Sequence, residues 1–285
     1  MTRLVPLTVR YRPRVPEETL VRHLRSAVAR SLPWVEPCRP RIETLILAGG
    51  GPSLAESVEL IRKQSASGGL VLAVNEVARY LRGREIEVWA AAHLGPVSQT
   101  VACIGEPLPG VRYYLASICP PEAFDAVANL DVWVWHPDMP EVRHELDRLG
   151  VVPTPMIGGG ATISLRCLEL GYLLGFRRFL VHGLDSSVAG RMHAYPSVSD
   201  GEERDLIDVE CDGRWYRTSP EMAGQALGFV AAAEKLLERG ASLTIFGKGI
   251  VPDAWRAREK LGIAPPIRRS GPSGAAIGPI AAMTC

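Results

Sequence analysis

The chain lacks a dominant charge. Its 32 Lys and Arg stand against 31 Asp and Glu, a net charge of +1, so no global field favours nucleic acid or an anionic membrane. Long apolar runs are missing as well. No segment approaches the run of about 20 apolar residues that a membrane-spanning helix needs. The richest candidate, 161–174, is interrupted by Arg166 and Glu169. The N-terminus has no apolar core of a signal peptide. The six cysteines, Cys38, Cys103, Cys119, Cys167, Cys211 and Cys285, form no C-x-x-C pair and no cluster with histidine at zinc-finger spacing. Scattered thiols of this kind predict a reducing, cytoplasmic setting. The G-x-S-x-G elbow of a serine hydrolase is absent, and so are clustered ligands for a catalytic zinc.

What is present is an ordinary globular composition, 47% hydrophobic and 22% charged over 285 residues, long enough for a sizeable core. The most informative stretch is Leu45-Ile-Leu-Ala-Gly-Gly-Gly-Pro-Ser-Leu54. An apolar run over 42–48 reads as a buried parallel strand. Gly49, Gly50 and Gly51 then let the backbone turn and approach a ligand closely. Pro52 and Ser53 follow, and Ser53 and Glu56 have the S-x-x-E spacing of a capping box. Free N–H groups at such a helix start suit a phosphate. The stretch has neither the Lys-Ser/Thr of a P-loop nor the third glycine of a dinucleotide fingerprint, so an empty strand-to-helix turn is the competing reading.

The chain then alternates. Strands are expected at 70–74, 86–92, 111–115, 132–135, 179–181 and 243–246. Helices are expected at 17–32, 76–81, 120–128, 140–149, 161–175 and 221–239. This alternation predicts an α/β fold, a Rossmann-like three-layer sandwich with a mostly parallel sheet. The expected organisation is an N-terminal helical or extended arm at 1–40, a nucleotide-binding transferase domain at 41–262 and a flexible tail at 263–285. The basic side of the first helix, Arg22, Arg25 and Arg30, reads as a solvated face rather than a polyanion site.

Ligands of open parallel sheets bind beyond the carboxyl ends of the strands. There the chain delivers Asn75, His93, a second glycine turn (Gly158, Gly159, Gly160, with Thr162 and Ser164), then Gly183, Asp185, Ser186, Ser187 and His193, and last Lys248. Asn75 fits either a helix cap or a nucleotide contact. His93 fits either a buried structural histidine or a catalytic one. Asp185, just past a buried strand, needs a partner: a group in its own loop, Mg²⁺ or a substrate hydroxyl. His193, in a loop, could donate to an anion or act as general acid. His182 reads as structural and His136 is ambiguous.

Leu47–Leu54, Val74-Asn75, Gly158–Thr162, Gly171–Phe176 and the string His182-Gly-Leu-Asp-Ser-Ser-Val-Ala-Gly-Arg-Met-His-Ala194 occur in that order. Together they resemble the 6-hydroxymethylpterin diphosphokinase MptE-like family. Its wider superfamily includes motility-associated flagellin glycosyltransferases and bacterial CMP-sialic-acid-dependent sialyltransferases. The resemblance covers about residues 42–250. It implies that Gly49–Ser53 and Asn75 bind a nucleotide, flanked by Gly158–Thr162 and Ser164, with Asp185 anchoring the site. His193 falls where the sialyltransferases place a tyrosine that binds the leaving phosphate. The chain departs from the family at His93, where many members are acidic. No histidine follows His193, so the general base is unassigned, with His93 and Asp185 as candidates. The resemblance implies a transferase with a nucleotide or nucleotide-sugar donor and a small-molecule or glycan acceptor, in a chain compatible with a homo-oligomer. Glycosyl transfer from a CMP-type donor requires no cofactor. Pyrophosphoryl transfer from ATP to the pterin requires Mg²⁺, with Asp185 as its ligand. A non-catalytic nucleotide-binding module is the third expectation.

Overall fold

Eight short apolar strands form one sheet, and each neighbouring pair in it is parallel. The computed structural model describes residues 15–151, 155–160, 162–200 and 205–261. In chain order the elements are α1 (Glu17–Ala29), β1 (Leu45–Ala48), α2 (Leu54–Ala66), β2 (Leu70–Val74), α3 (Val77–Arg82), β3 (Ala90–His93), α4 (Gln99–Ile104), β4 (Arg112–Ala116), α5 (Pro121–Ala126) and β5 (Val132–Pro137). There follow α6 (Pro140–Arg148), β6 (Met156–Ile157), α7 (Ile163–Leu173), β7 (Arg178–His182), β8 (Ile207–Cys211), β9 (Arg214–Thr218), α8 (Pro220–Glu238), β10 (Ser242–Ile245) and α9 (Ile250–Leu261). The sheet order is β10-β7-β1-β2-β3-β4-β5-β6. β8 and β9 form a separate antiparallel hairpin.

Every residue of β1 is buried, because helices cover both faces. A side chain at Gly171 of α7 would meet Leu45, whereas one at Gly69, just beyond α2, would meet Ile46. These two neighbours in β1 point to opposite faces, so α7 and α2 lie on opposite sides. Strands β1 to β6 run outward in one direction, and the chain then returns to place β7 on the other side of β1. That reversal makes the β1/β7 border the switch point where such sheets bind ligands.

The expected alternation is present, and the sheet is parallel throughout. Five elements were not expected: α4, the short strand β6, the two strands of the β8–β9 hairpin, and α9. The region expected as a strand at 86–92 is hydrogen-bonded as one only in β3, although Ile86 and Val88 are buried. Helix α1 does pack on the outside of the sandwich, against α5 and α6. Two of its basic residues pair with neighbours instead of facing solvent alone: Arg25 with Glu145 at 2.7 Å and Arg30 with Asp125 at 2.7 Å. Past α1, Trp34 bridges Val134 of β5. The tail expected at 263–285 lies outside the described residues, as does Ala161 of the second glycine turn. Among the described residues no helix is long and apolar enough to cross a membrane.

Candidate functional site

The turn after β1 is packed against the loop after β7. Gly49 N donates to His182 O and Gly51 N to Gly183 O, each at 2.8 Å. Gly183 has φ +64°, and a Cβ there would lie 2.2 Å from Gly49 O. These glycines are therefore required by backbone crossing backbone, whatever else the turn does. The capping box does not form. Ser53 has helical dihedrals and makes no side-chain cap bond. Its hydroxyl donates to Asp185 Oδ1 at 2.5 Å and its N–H to Asp185 Oδ2 at 2.6 Å. Glu56 instead pairs with Lys248 at 2.9 Å. The expected row of free N–H groups is thus reduced: Gly49, Gly51 and Ser53 are engaged, and Gly50 N alone in the turn keeps a donor with no acceptor among the described residues.

Asp185 is buried, 3% exposed. Burial pushes its carboxyl up to about 6, against the opposing pull of its bonds from Ser53. A side chain at Gly51, Gly247 or Gly249 would collide with Asp185 or with Ser53, and Val251 N donates to Asp185 O. Asp185 therefore ties together the loops after β1, β7 and β10. Its partner comes from the β1 turn rather than from its own loop. Ser186 (φ +51°) faces elsewhere, its hydroxyl on Gln225 at 3.2 Å, and Ser187 is buried beside Gly249.

The chain then folds back over the glycine turn. Ala194 N donates to Gly50 O at 3.0 Å. A Cβ on Gly50 would lie 2.5 Å from the Tyr195 hydroxyl and 3.4 Å from His193 Cδ2. Tyr195 packs at a tilt against Tyr80 and stacks on His193, with centroids 5.1 and 5.9 Å apart. Burial, with Glu76 nearby, pushes its phenol pKa up, so the hydroxyl stays a proton-bearing donor. Beyond it, Ser197 Oγ and Val198 N donate to the buried carboxylate of Glu76 at 2.7 and 3.0 Å. Asn75 lies level with Gly50, two residues past the paired Ala48 and Ala73. It holds φ +50°, a left-handed conformation seldom taken outside glycine. It does not cap α3, whose N-cap position is Glu76. Four polar groups around this turn have no partner among the described residues: Gly50 N, the Asn75 amide, the Tyr195 hydroxyl and His193 Nε2. Asn75 and His193 are among the residues the sequence singles out; Tyr195 and Glu76 are not.

The remaining candidates sit elsewhere. His93 is sealed within the sheet, stacked on Tyr113 with both ring nitrogens unpartnered. Desolvation lowers its pKa to about 3. Both candidates for the base are buried, and both carboxylate oxygens of Asp185 accept from Ser53. His136 is equally buried, edge-on to Trp34, with its pKa lowered to about 4 by burial. His182 is structural: it bonds Gln64 at 2.9 Å and stacks on Phe246.

The second glycine turn follows β6, at the far edge of the sheet. Gly158 N is engaged by Glu169 at 2.7 Å, Arg166 donates to Ile157 O, and Thr162 caps α7 by accepting from Leu165 N. Gly159 and Gly160 have φ +98° and +122°, and Ser164 is buried. Among the described residues no backbone hydrogen bond joins this turn to Gly49–Ser53.

No family model matches the sequence, and no curated protein matches it. The fold has counterparts among solved structures. A MAf glycosyltransferase from Magnetospirillum magneticum AMB-1 superposes with a TM-score of 0.58 at 12% identity, covering 82% of this chain and 38% of that protein. The chain thus spans well under half the length of that structure. A mammalian sialyltransferase in complex with Gal-beta-1-3GalNAc-ortho-nitrophenol gives a TM-score of 0.42 at 14% identity, covering 85% of this chain and 90% of that one. At these identities the first of these likenesses establishes the α/β fold with its large parallel sheet, and the second adds no argument.

Proposed function

We propose that the chain is a transferase that moves a glycosyl group from a nucleotide sugar, of the CMP type, to an acceptor hydroxyl. The observation that carries this is the convergence of four unpartnered polar groups on one turn at the carboxyl ends of β1 and β2. Gly50 N and the Tyr195 hydroxyl supply donors for a phosphate. The Asn75 amide suits a ribose or base edge. His193, 22% exposed at its side chain, supplies a proton to the departing phosphate oxygen, where negative charge develops. Asp185 is a scaffold for the turn rather than a reacting group. The superposition on a glycosyltransferase agrees with this choice through fold alone.

Pyrophosphoryl transfer from ATP to a hydroxymethylpterin fits these residues less well. That chemistry relies on Mg²⁺ across the phosphates. Both oxygens of Asp185 are held by Ser53, and among the described residues no three His, Cys, Asp or Glu side chains converge to hold a metal.

Thermal-shift measurements with CMP, CTP, UDP and ATP, each with and without Mg²⁺, separate the readings. Stabilisation by CMP without metal is expected, amounting to about 2.7 kcal/mol at a hundredfold excess over Kd. Stabilisation by ATP alone, and only with Mg²⁺, would overturn the proposal. His193→Ala should abolish turnover and leave CMP binding largely intact; undiminished turnover would remove His193 from the mechanism.

A further inference from the structure

Sequence reasoning left His193 without a group to orient it. We propose that Asp200 is a positioning residue that fixes His193 as its Nδ1–H tautomer and so dedicates Nε2 to the glycine turn. His193 Nδ1 lies 3.4 Å from Asp200 Oδ1. An ionised carboxylate only accepts hydrogen bonds, so the proton at this contact belongs to Nδ1. The neutral ring then carries a bare Nε2, since the bond made by one ring nitrogen sets the state of the other. Cδ2, the ring carbon next to Nε2, faces Gly50 at 3.4 Å from where its Cβ would be.

Asp200 is itself held. Its Oδ2 accepts from Ser197 N at 2.8 Å. The Ser197 hydroxyl donates to Glu76 at 2.7 Å and accepts from Ser199 N at 3.3 Å. Glu76 is buried immediately after Asn75, at the end of β2. The strut thus runs from the sheet through Glu76, Ser197 and Asp200 to the imidazole. An imidazole braced from the sheet keeps its working nitrogen in place without help from substrate.

The chemical use of this tautomer rests on the nucleotide reading above. The ring gives an Nε2 proton to the leaving phosphate oxygen as the glycosyl carbon passes to the acceptor oxygen, whose own proton is released to water. That leaves the neutral Nδ1–H form, and Nε2 is reprotonated from water. Asp200 touches no reacting atom.

Long-range proton–nitrogen NMR on ¹⁵N-labelled protein at alkaline pH reads the tautomer directly. The spectrum of His193→Gln identifies the resonance. The wild-type ring should be mostly Nδ1–H, and Asp200→Ala should convert it to mostly Nε2–H. Asp200→Asn, which keeps a side-chain oxygen acceptor, should fall between the two. A wild-type ring that is mostly Nε2–H, or a tautomer ratio unchanged in Asp200→Ala, overturns the assignment. Adding CMP to the same samples separates this from the nucleotide reading. If the tautomer responds to Asp200 while saturating CMP leaves the His193 nitrogens unmoved, the nucleotide reading fails and the positioning role stands.

Discussion

Acidification should destabilise this protein through its buried histidines before most of its surface carboxylates are protonated. His93, His136 and His182 are held neutral, with pKa values lowered by desolvation from 6.5 to about 3, about 4 and about 4. A histidine depressed in the folded state contributes stability that is complete above its unfolded pKa and is lost as the pH falls towards the folded value. At about 1.4 kcal/mol per unit of pKa, the loss from full titration is about 5 kcal/mol for His93 and about 3 kcal/mol for each of the others. Asp185 opposes this. Its carboxyl is raised from 3.8 to about 6, so the folded state takes its proton first, and acidification returns about 3 kcal/mol. Near pH 5 the unfolded chain therefore binds close to two more protons than the folded one, a slope of about 2.5 kcal/mol per pH unit. By pH 4 the net loss is about 7 kcal/mol, comparable to the whole stability of a typical domain. Urea unfolding at half-unit steps from pH 7.5 to 4 measures the slope. His93→Phe, which keeps a ring against Tyr113 and removes the titration, should flatten it by about half. A stability that stays level between pH 6.5 and 4.5 would refute the reasoning, because it would mean that these rings are hydrated or partnered in the folded state.

Three further substitutions separate the turn's scaffold from its chemistry. Gly183→Ala should destabilise by about 3 kcal/mol or more, through its positive φ and its collision with Gly49 O. Gly190→Ala, also at positive φ but with nothing within 4 Å of the new Cβ, should cost only about 1 kcal/mol; equal urea midpoints for the two would contradict the packing argument. Tyr195→Phe removes a hydroxyl that has no partner among the described residues. It should leave stability within about 0.5 kcal/mol and weaken CMP binding by about 10- to 100-fold in calorimetry, the worth of one hydrogen bond to a charged group. Full-strength binding would take Tyr195 out of the site.

The parallel sheet was legible because strands buried on both faces are written as continuous apolar runs, as in Leu45–Ala48 and Leu70–Val74. The β8–β9 hairpin was missed although its signal was present. Asp212 and Gly213, both at positive φ, are the Asp-Gly pair of a type I′ turn. Helix α4 spans six residues, too few for a helical period to show. The same division runs through the site. Residues delivered by strand ends, such as Asn75 and Asp185, can be read off the chain, because a strand's carboxyl end is a place in the fold as well as in the sequence. Residues delivered by the returning segment cannot, because nothing local says that Tyr195 comes to rest on Gly50 or that Ser197 finds Glu76. Serine at 53 shows the consequence. Its spacing to Glu56 satisfies the rule for a local cap, yet a buried carboxylate from the β7 loop takes both of its donors. A charged acceptor held in low dielectric is the stronger partner. The glycine turn is thus committed to its neighbours on three sides, and what it has left for a ligand is one N–H, framed by the side chains that the sheet and the returning segment bring to it.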